Sequence, residues 1–307
     1  MKQTILGSGG AIGNELAKAL HNYTDQIRLV SRNPKKINET DEIFPADLSD
    51  SKQIDAAIAG SSVVYVTIGF DYNLKVWRKK WPPFMHAVID GCTKHKAKLV
   101  FFDNVYMYAP SEIPNMTEAS EMNPISEKGK VRKQLVDMIF EAIEAKKIEA
   151  IIARAADFYG PNVATSMLQE TVQKNLAKNK AANWLGGLDF KHSFTYTPDA
   201  GRATALLGNT ADAYNQVWHL PTDPQTLTGR EWTELFASQM NKKVKISAMP
   251  SWMLKILGWF IPILGEFYEM SYQYDRPYFF NSQKFMTRFP DFRITTYQEG
   301  VQEVLRG

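Results

Sequence analysis

The chain contains a single cysteine, Cys92. One thiol cannot build an internal disulfide framework, and it suits a reducing compartment. No metal-ligand pattern surrounds it, so it reads as a small buried apolar residue. His192 and His219 flank expected strands without metal spacing to other ligands, and no metal is expected. Net charge is almost absent as well. Thirty-six Lys and Arg against thirty-three Asp and Glu leave +3, which gives no ground for a nucleic-acid partner. No charged leader with an apolar core opens the sequence, so no signal peptide is expected and a cytoplasmic location is. No repeat or low-complexity tract occurs. No apolar run reaches the about 20 residues of a membrane span. The most apolar stretch, residues 252–264, is interrupted by Lys255, Gly258 and Pro262. It reads as a pocket-lining or interface helix, with a membrane-surface role as the alternative; no membrane partner is expected.

What is present begins at the first residues. A short apolar strand, 4–6, runs into Gly7-Ser8-Gly9-Gly10-Ala11-Ile12-Gly13, and a helix follows over 14–20. Glycines let backbone approach a pyrophosphate, and the helix N-terminus offers unpaired N–H groups and the positive end of its dipole. Further strands are expected at 27–31, 44–48, 63–69, 98–102 and 148–154, the fifth continuing through Tyr108. Helices are expected at 52–58, 84–94 and from Ser126 or Glu127 to 145. Strict alternation of strand and helix predicts an α/β fold with a doubly wound parallel sheet. The continuous apolar run at 63–69 fits a strand buried on both faces. Residues 109–125 read as a loop.

After Pro161 the pattern changes. A helix is expected at 163–179, a turn-rich piece at 184–189, a strand at 192–197 and a helix to 207. Then come a strand at 216–220, a helix capped by Thr228, an aromatic-dense stretch at 250–289 and a final helix at 296–305. This divides the chain into a dinucleotide-binding domain, 1–160, which also receives 190–220. A smaller substrate lobe spans 161–189 and 221–295, and a C-terminal helix covers 296–307. The aromatic-rich tail reads as the core and lid of that lobe. The position after the second strand, where an acid would accept the ribose 2′-OH of NAD, holds Ser31-Arg32 instead. A basic residue there accommodates a 2′-phosphate, so NADP is favoured over NAD.

These landmarks resemble the extended and atypical short-chain dehydrogenase/reductases, in the branch called NAD-dependent epimerase/dehydratase. Gly7, Gly10 and Gly13 match that family's turn, and Asp47-Leu48 its adenine-contacting pair. Thr67-Ile68-Gly69 lies where the family passes backbone beside the ribose. Residues 154–161 resemble its Arg-Pro-x-x-x-Tyr-Gly-Pro motif, and 192–200 its returning strand and helix cap. The resemblance implies a Rossmann fold with a C-terminal substrate lobe. It implies a cofactor site of Gly7, Gly9, Gly10, Ala11, Ile12, Gly13, Arg32, Asp47, Leu48, Thr67, Ile68, Gly69, Lys128 and Phe158. It also implies a small-molecule substrate carrying a carbonyl or hydroxyl, possibly nucleotide-linked, and a monomer or homodimer.

The family's chemistry uses Ser/Thr, Tyr and Lys, the tyrosine moving a proton as hydride moves at the nicotinamide. No Tyr-x-x-x-Lys occurs here. One register places Ser126 at the tyrosine and Lys130 at the lysine; the other, preferred because Gly129 then matches the family glycine, places Lys128 and Arg132. The Ser/Thr position falls at Asn104. Lys128 and Arg132 share a helix face, and a neighbouring guanidinium would make Lys128 a proton carrier, with Arg132 on the ribose or an anion. Strand alternation puts Asn104, Tyr106 and Tyr108 on one face, with Tyr106 as a second proton donor. Tyr72 and Trp77 could line the pocket. An NAD(P)-dependent oxidoreductase or epimerase-like enzyme is the leading reading. A dinucleotide-binding sensor that has lost catalysis is the alternative.

Overall fold

The computed structural model describes residues 1–163 and 165–306. The chain runs β1 (Gln3–Leu6), α1 (Ala11–Leu20), β2 (Ile27–Ser31), β3 (Glu42–Pro45), α2 (Ser51–Ile58) and β4 (Val63–Val66). Next come α3 (Leu74–His95), β5 (Lys98–Asp103), α4 (Glu127–Glu144), β6 (Ala150–Arg154) and β7 (Asp157–Tyr159). Then follow α5 (Lys174–Ala177), β8 (Ala182–Leu185), β9 (Lys191–His192), β10 (Phe194–Tyr196), α6 (Thr197–Gly208) and β11 (Gln216–His219). The tail holds β12 (Leu227–Thr228), α7 (Gly229–Gln239), β13 (Ile246–Met249), α8 (Ser251–Leu257), α9 (Pro262–Met270), α10 (Gln283–Arg288) and α11 (Tyr297–Arg306).

Two compact units form. The first comprises Met1–Tyr106, Lys128–Ala155 and Ala200–Leu220. Its sheet has seven strands in the order β11-β6-β5-β4-β1-β2-β3, and every pairing is parallel. This is a doubly wound α/β sheet. Strand β1 lies between β2 and β4, so the direction of winding reverses there, and ligands bind such sheets at that switch point. Strands β1, β4 and β6 are buried along their whole length, as both faces of a parallel sheet require.

Two elements of this unit depart from the pattern in the sequence. Helix α3 starts ten residues earlier than expected, at Leu74, where the Asn73 side chain accepts the Val76 N–H at 3.2 Å. Pro82 and Pro83 lie inside it. They remove the bonds to the carbonyls of Arg78 and Lys79, and both residues lie on the exposed side of the helix. Strand β5 stops at Asp103 instead of continuing through Tyr108. The Asn104 Oδ1 accepts the Tyr106 N–H at 3.1 Å, an Asx turn that competes with the sheet ladder.

The second unit comprises Met107–Glu127, Ala156–Asp199 and the chain from Pro221 on. Its core gathers Tyr159, Phe194, Trp232, Phe236, Tyr297 and Val301, all nearly inaccessible. Small two-stranded sheets frame it: β10 with β7, β12 with β9, and β13 with β8. Strand β8 occupies part of the stretch expected to be turn-rich, and β9 and β10, expected to return to the first domain, lie in this unit. The helix expected at 163–179 is a π turn at Leu168–Gln173 followed by α5; its Ala164, like Gly307 of the C-terminal segment, lies outside the described residues. Thr228 caps α7 in a reciprocal capping box with Glu231, each side chain satisfying the other's free backbone N–H. Residues 252–264, expected to form a pocket-lining or interface helix within an aromatic-rich core and lid, are largely exposed.

Candidate active site

The glycine turn is pinned to the sheet. The N–H groups of Gly7 and Ser8 both donate to the Val30 carbonyl of β2, at 2.9 and 3.1 Å. Gly7 has φ +106°, and a Cβ there would lie 2.4 Å from the Ile68 backbone nitrogen. Only glycine allows the turn to rest against the chain leaving β4. Gly13, in the first turn of α1, is equally confined: its Cβ would meet the Gly7 carbonyl oxygen at 2.7 Å and Thr67 Oγ1 at 3.1 Å. The N-cap of α1 is Gly10, and no side chain caps the helix. The Ser8 hydroxyl is buried without a hydrogen-bond partner. Uncapped helix N–H groups, a cradle that a Cβ would fill and an orphaned hydroxyl together fit an anionic diphosphate.

The residues expected at the adenosine follow at β2 and β3. Leu48 is buried and Asp47 exposed. The Ser49 N–H and hydroxyl donate to the Asp47 carboxylate at 2.9 and 2.8 Å. Those bonds hold it below the usual carboxylate range, and the charges of Arg32 and Lys80 lower it further. Arg32 is exposed just past β2. Thr67 Oγ1 lies 3.4 Å from the carbonyl oxygens of both Leu6 and Gly7, so Thr67-Ile68 borders the turn. Gly69 has open space where a Cβ would be.

At the ends of β4 and β5 a second group assembles. Lys128, in the first turn of α4, is wholly buried. Its ammonium lies 4.8 Å from the centre of the Tyr72 ring, and the Tyr72 and Tyr106 hydroxyls are 3.5 Å apart. Trp77 stacks on Tyr106, with centroids 6.2 Å apart and planes 16° from parallel. The Trp77 indole N–H is buried without an acceptor, a donor left over for a ligand. Lys130 is exposed, so the register that would make it the family lysine turns that residue outward.

Arg132 has a different task from the one the sequence suggested. Its Nε donates to Asp103 Oδ1 at 2.9 Å, and its Nη2 donates to the same oxygen. The rings of Trp81 and Phe101 each lie 4.7 Å from the guanidinium carbon. Arg154 Nε donates to Asp103 Oδ2 at 3.3 Å. Arg132, Asp103 and Arg154 thus form a buried ion cluster that ties α4 to β5 and β6. The guanidinium is matched by a carboxylate and is not presented to a ribose. Asn104 serves its own turn, and Tyr108, expected on the same face as Tyr106, belongs to the second unit. Phe158 is half-buried in β7 of that unit, opposite Thr195.

Sequence reasoning missed a further cluster in the second unit. The His192 ring lies between those of Tyr274 and Tyr278, at 4.6 and 4.1 Å and within 8° of parallel. Its Nε2 is 2.9 Å from Asp157 Oδ2, which also accepts the Tyr274 hydroxyl. Partners this far from His192 along the chain give no local signal. Among the described residues no set of His, Cys, Asp and Glu is arranged to hold a metal.

A family model described as the NAD dependent epimerase/dehydratase family matches residues 4–219. No curated protein matches the sequence significantly. Among solved structures, UDP-glucuronic acid 4-epimerase from Bacillus cereus, in complex with UDP-glucuronic acid and NAD, superposes with a TM-score of 0.81. The identity is 15%, over 100% of this chain and 98% of that one. UDP-glucose 4-epimerase from Thermus thermophilus, in complex with NAD, gives 0.78 at 14% identity, with the same coverage. At these identities the likeness is one of fold.

Proposed function

The chain belongs to the NAD dependent epimerase/dehydratase family, and on that footing we propose that it is an NAD(P)-dependent epimerase- or reductase-like enzyme. Its substrate in this reading is a hydroxyl or carbonyl compound, a nucleotide-linked sugar foremost. The observation that carries the reading is the meeting of Lys128, Tyr72 and Tyr106 at the strand ends of the sheet that bears the glycine turn.

The residues divide the work as follows. The Gly7–Gly13 turn, the N-terminus of α1 and the Ser8 hydroxyl bind the diphosphate. Leu48 and Asp47 border the adenosine. When bound, the dinucleotide supplies a hydride acceptor or donor. Tyr106 exchanges a proton with the substrate oxygen, in place of the absent family tyrosine. The Lys128 ammonium stabilises the negative charge that the phenol pair acquires on losing that proton. A free guanidinium beside it would favour Lys128 as base. With Arg132 matched to Asp103, that cause is gone, and Tyr106 takes the role. Trp77, stacked on Tyr106, holds that phenol in place. The relatives compared contain NAD, whereas Arg32 here supports NADP, which we carry as the preferred cofactor.

The test is a panel of UDP-sugars incubated with the purified protein and NAD or NADP, read by NMR for inversion or oxidation at a ring carbon. Product from at least one member supports the enzyme reading. Tight dinucleotide binding with no product across the panel favours the sensor reading, which the missing family tyrosine motivates.

A further inference from the structure

Chemistry at a hydroxyl or carbonyl needs two groups at the substrate oxygen. One moves the proton. The other donates a hydrogen bond that orients the oxygen and holds the charge developing on it. The first is Tyr106 in the reading above. The sequence puts the second at Asn104, but the side-chain oxygen of that residue accepts the Tyr106 N–H at 3.1 Å and builds a turn. The fold brings another donor to the place. Tyr72 lies between β4 and α3, immediately before Asn73, whose side chain caps the helix. The Lys128 ammonium lies over its ring, 4.8 Å from the centre. The Trp77 ring meets it edge-on, with centroids 5.7 Å apart and planes at 87°. The same Trp77 stacks on Tyr106. One indole therefore fixes both phenol rings, and both phenols are only half-buried, within reach of a ligand.

The two hydroxyl oxygens stand 3.5 Å apart, with Tyr72 as the donor. A settled O–H···O bond is about 2.7–2.8 Å long, so the phenols are only weakly joined to each other. A third oxygen placed at about that distance from each would receive both O–H groups. Charge favours this arrangement. The Lys128 ammonium beside Tyr72 lowers the energy of negative charge on these oxygens, and it is wholly buried, where water screens it little. We propose that Tyr72 is a second catalytic residue, its hydroxyl donating to the substrate oxygen whose proton Tyr106 exchanges. This rests on the reading of Tyr106 as proton carrier. In oxidation the substrate O–H bond breaks and the proton passes to a Tyr106 phenolate. The O–H electron pair closes the carbonyl as the hydride departs from the carbon to the dinucleotide. Reduction runs the same steps backwards, and Tyr106 gives its proton to the alkoxide oxygen. Tyr72 keeps its own proton in both directions. It donates most strongly while the oxygen is charged, so it stabilises the transition state more than the bound substrate.

Tyr72→Phe removes one oxygen and leaves the ring against Lys128 and Trp77; circular dichroism and a thermal melt matching wild type check that the fold is kept. Two readouts decide the matter. On whichever UDP-sugar the wild type converts, kcat should fall about 10²- to 10³-fold, with KM and NADPH affinity changed by less than about threefold. The second readout needs neither substrate nor dinucleotide. NMR of the protein with ring-labelled tyrosine follows the ionisation of Tyr106, identified by its absence from Tyr106→Phe. With no substrate oxygen present, the Tyr106 phenolate takes the Tyr72 hydrogen bond, so in Tyr72→Phe this ionisation should move to higher pH. A Tyr106 titration that stays in place, or a kcat within about threefold of wild type, overturns the proposal. Turnover lost in Tyr106→Phe but intact in Tyr72→Phe sinks it and leaves the reaction standing. The reverse pattern makes Tyr72 the proton carrier and overturns the division of roles. Should the wild type convert no UDP-sugar, the reaction assigned above fails; a moved titration then still supports Tyr72 as donor, and an unmoved one overturns it.

Discussion

Gly13→Ala sets two effects against each other. Alanine in place of glycine within a helix is worth about 1 kcal/mol of stability. The added Cβ, however, would lie 2.7 Å from the Gly7 carbonyl oxygen, with Thr67 Oγ1 at 3.1 Å and Ser8 Cα at 3.2 Å. The nearest atom is backbone, pinned through the Gly7 N–H to Val30, and cannot swing aside. Overpacking of this kind costs about 1–3 kcal/mol, so the clash wins narrowly and the net loss is about 0–2 kcal/mol. That corresponds to a Tm lower by up to roughly 8 °C for a domain of this size. Binding should suffer more than folding, because relief comes from moving α1 away from the turn proposed to hold the diphosphate. Losing one charge-assisted hydrogen bond, at ~1.5–3 kcal/mol, weakens affinity on the order of 10- to 100-fold. Thermal melts and a fluorescence titration with NADH read both quantities. A variant that melts higher than wild type and binds NADH equally well would refute the reasoning.

Three further outcomes are expected. Asp103→Asn leaves the buried Arg132 and Arg154 without their carboxylate; at about 3–5 kcal/mol its Tm should fall by roughly 6–20 °C, and a melt within about 2 °C of wild type would contradict the ion cluster. Arg32→Asp should turn the ratio of NADPH to NADH affinity toward NADH by on the order of tenfold, through loss of a phosphate contact; an unchanged ratio removes Arg32 from the cofactor reading. Burial pushes the Cys92 thiol up to about 12. Above the ordinary thiol range, near pH ~9, the unfolded chain gives up this proton and the native chain keeps it, so stability contributed by this group is complete below that pH and declines above it by about 1.4 kcal/mol per pH unit. Urea midpoints measured from neutral to alkaline pH should drop accordingly, and less so in Cys92→Ala; an identical pH profile for the variant would count against it.

Features set by neighbouring residues were legible in the sequence. The glycine turn and β2 needed only local spacing, and β2 ends where the apolar run does. Strand β3 was placed two residues late. It pairs from Glu42 and ends at Pro45, which lacks an N–H to extend a ladder. Pro82-Pro83 read as a boundary because interior prolines cost helix bonds; the exposure of Arg78 and Lys79 that makes them tolerable is tertiary. Tyr106 was singled out by strand alternation, but an Asx turn and Tyr72 from another strand end position it. Arg132 looked available because Asp103, its partner, stands on a different element far back along the chain. The 252–264 run reads as a pocket-lining or interface helix, and the exposure of its side chains depends on how two helices cross at Gly258 and Gly265, which the sequence does not show.

The central claim is that this chain binds a nicotinamide dinucleotide at its first turn and passes the substrate proton through Tyr106. Tyr106→Phe, assayed on whichever UDP-sugar the wild type turns over, tests it most directly. The account predicts a kcat lower by about 10²-fold or more, with NADPH affinity within about twofold of wild type because Tyr106 has no part in the diphosphate site. Unimpaired turnover in Tyr106→Phe would contradict it.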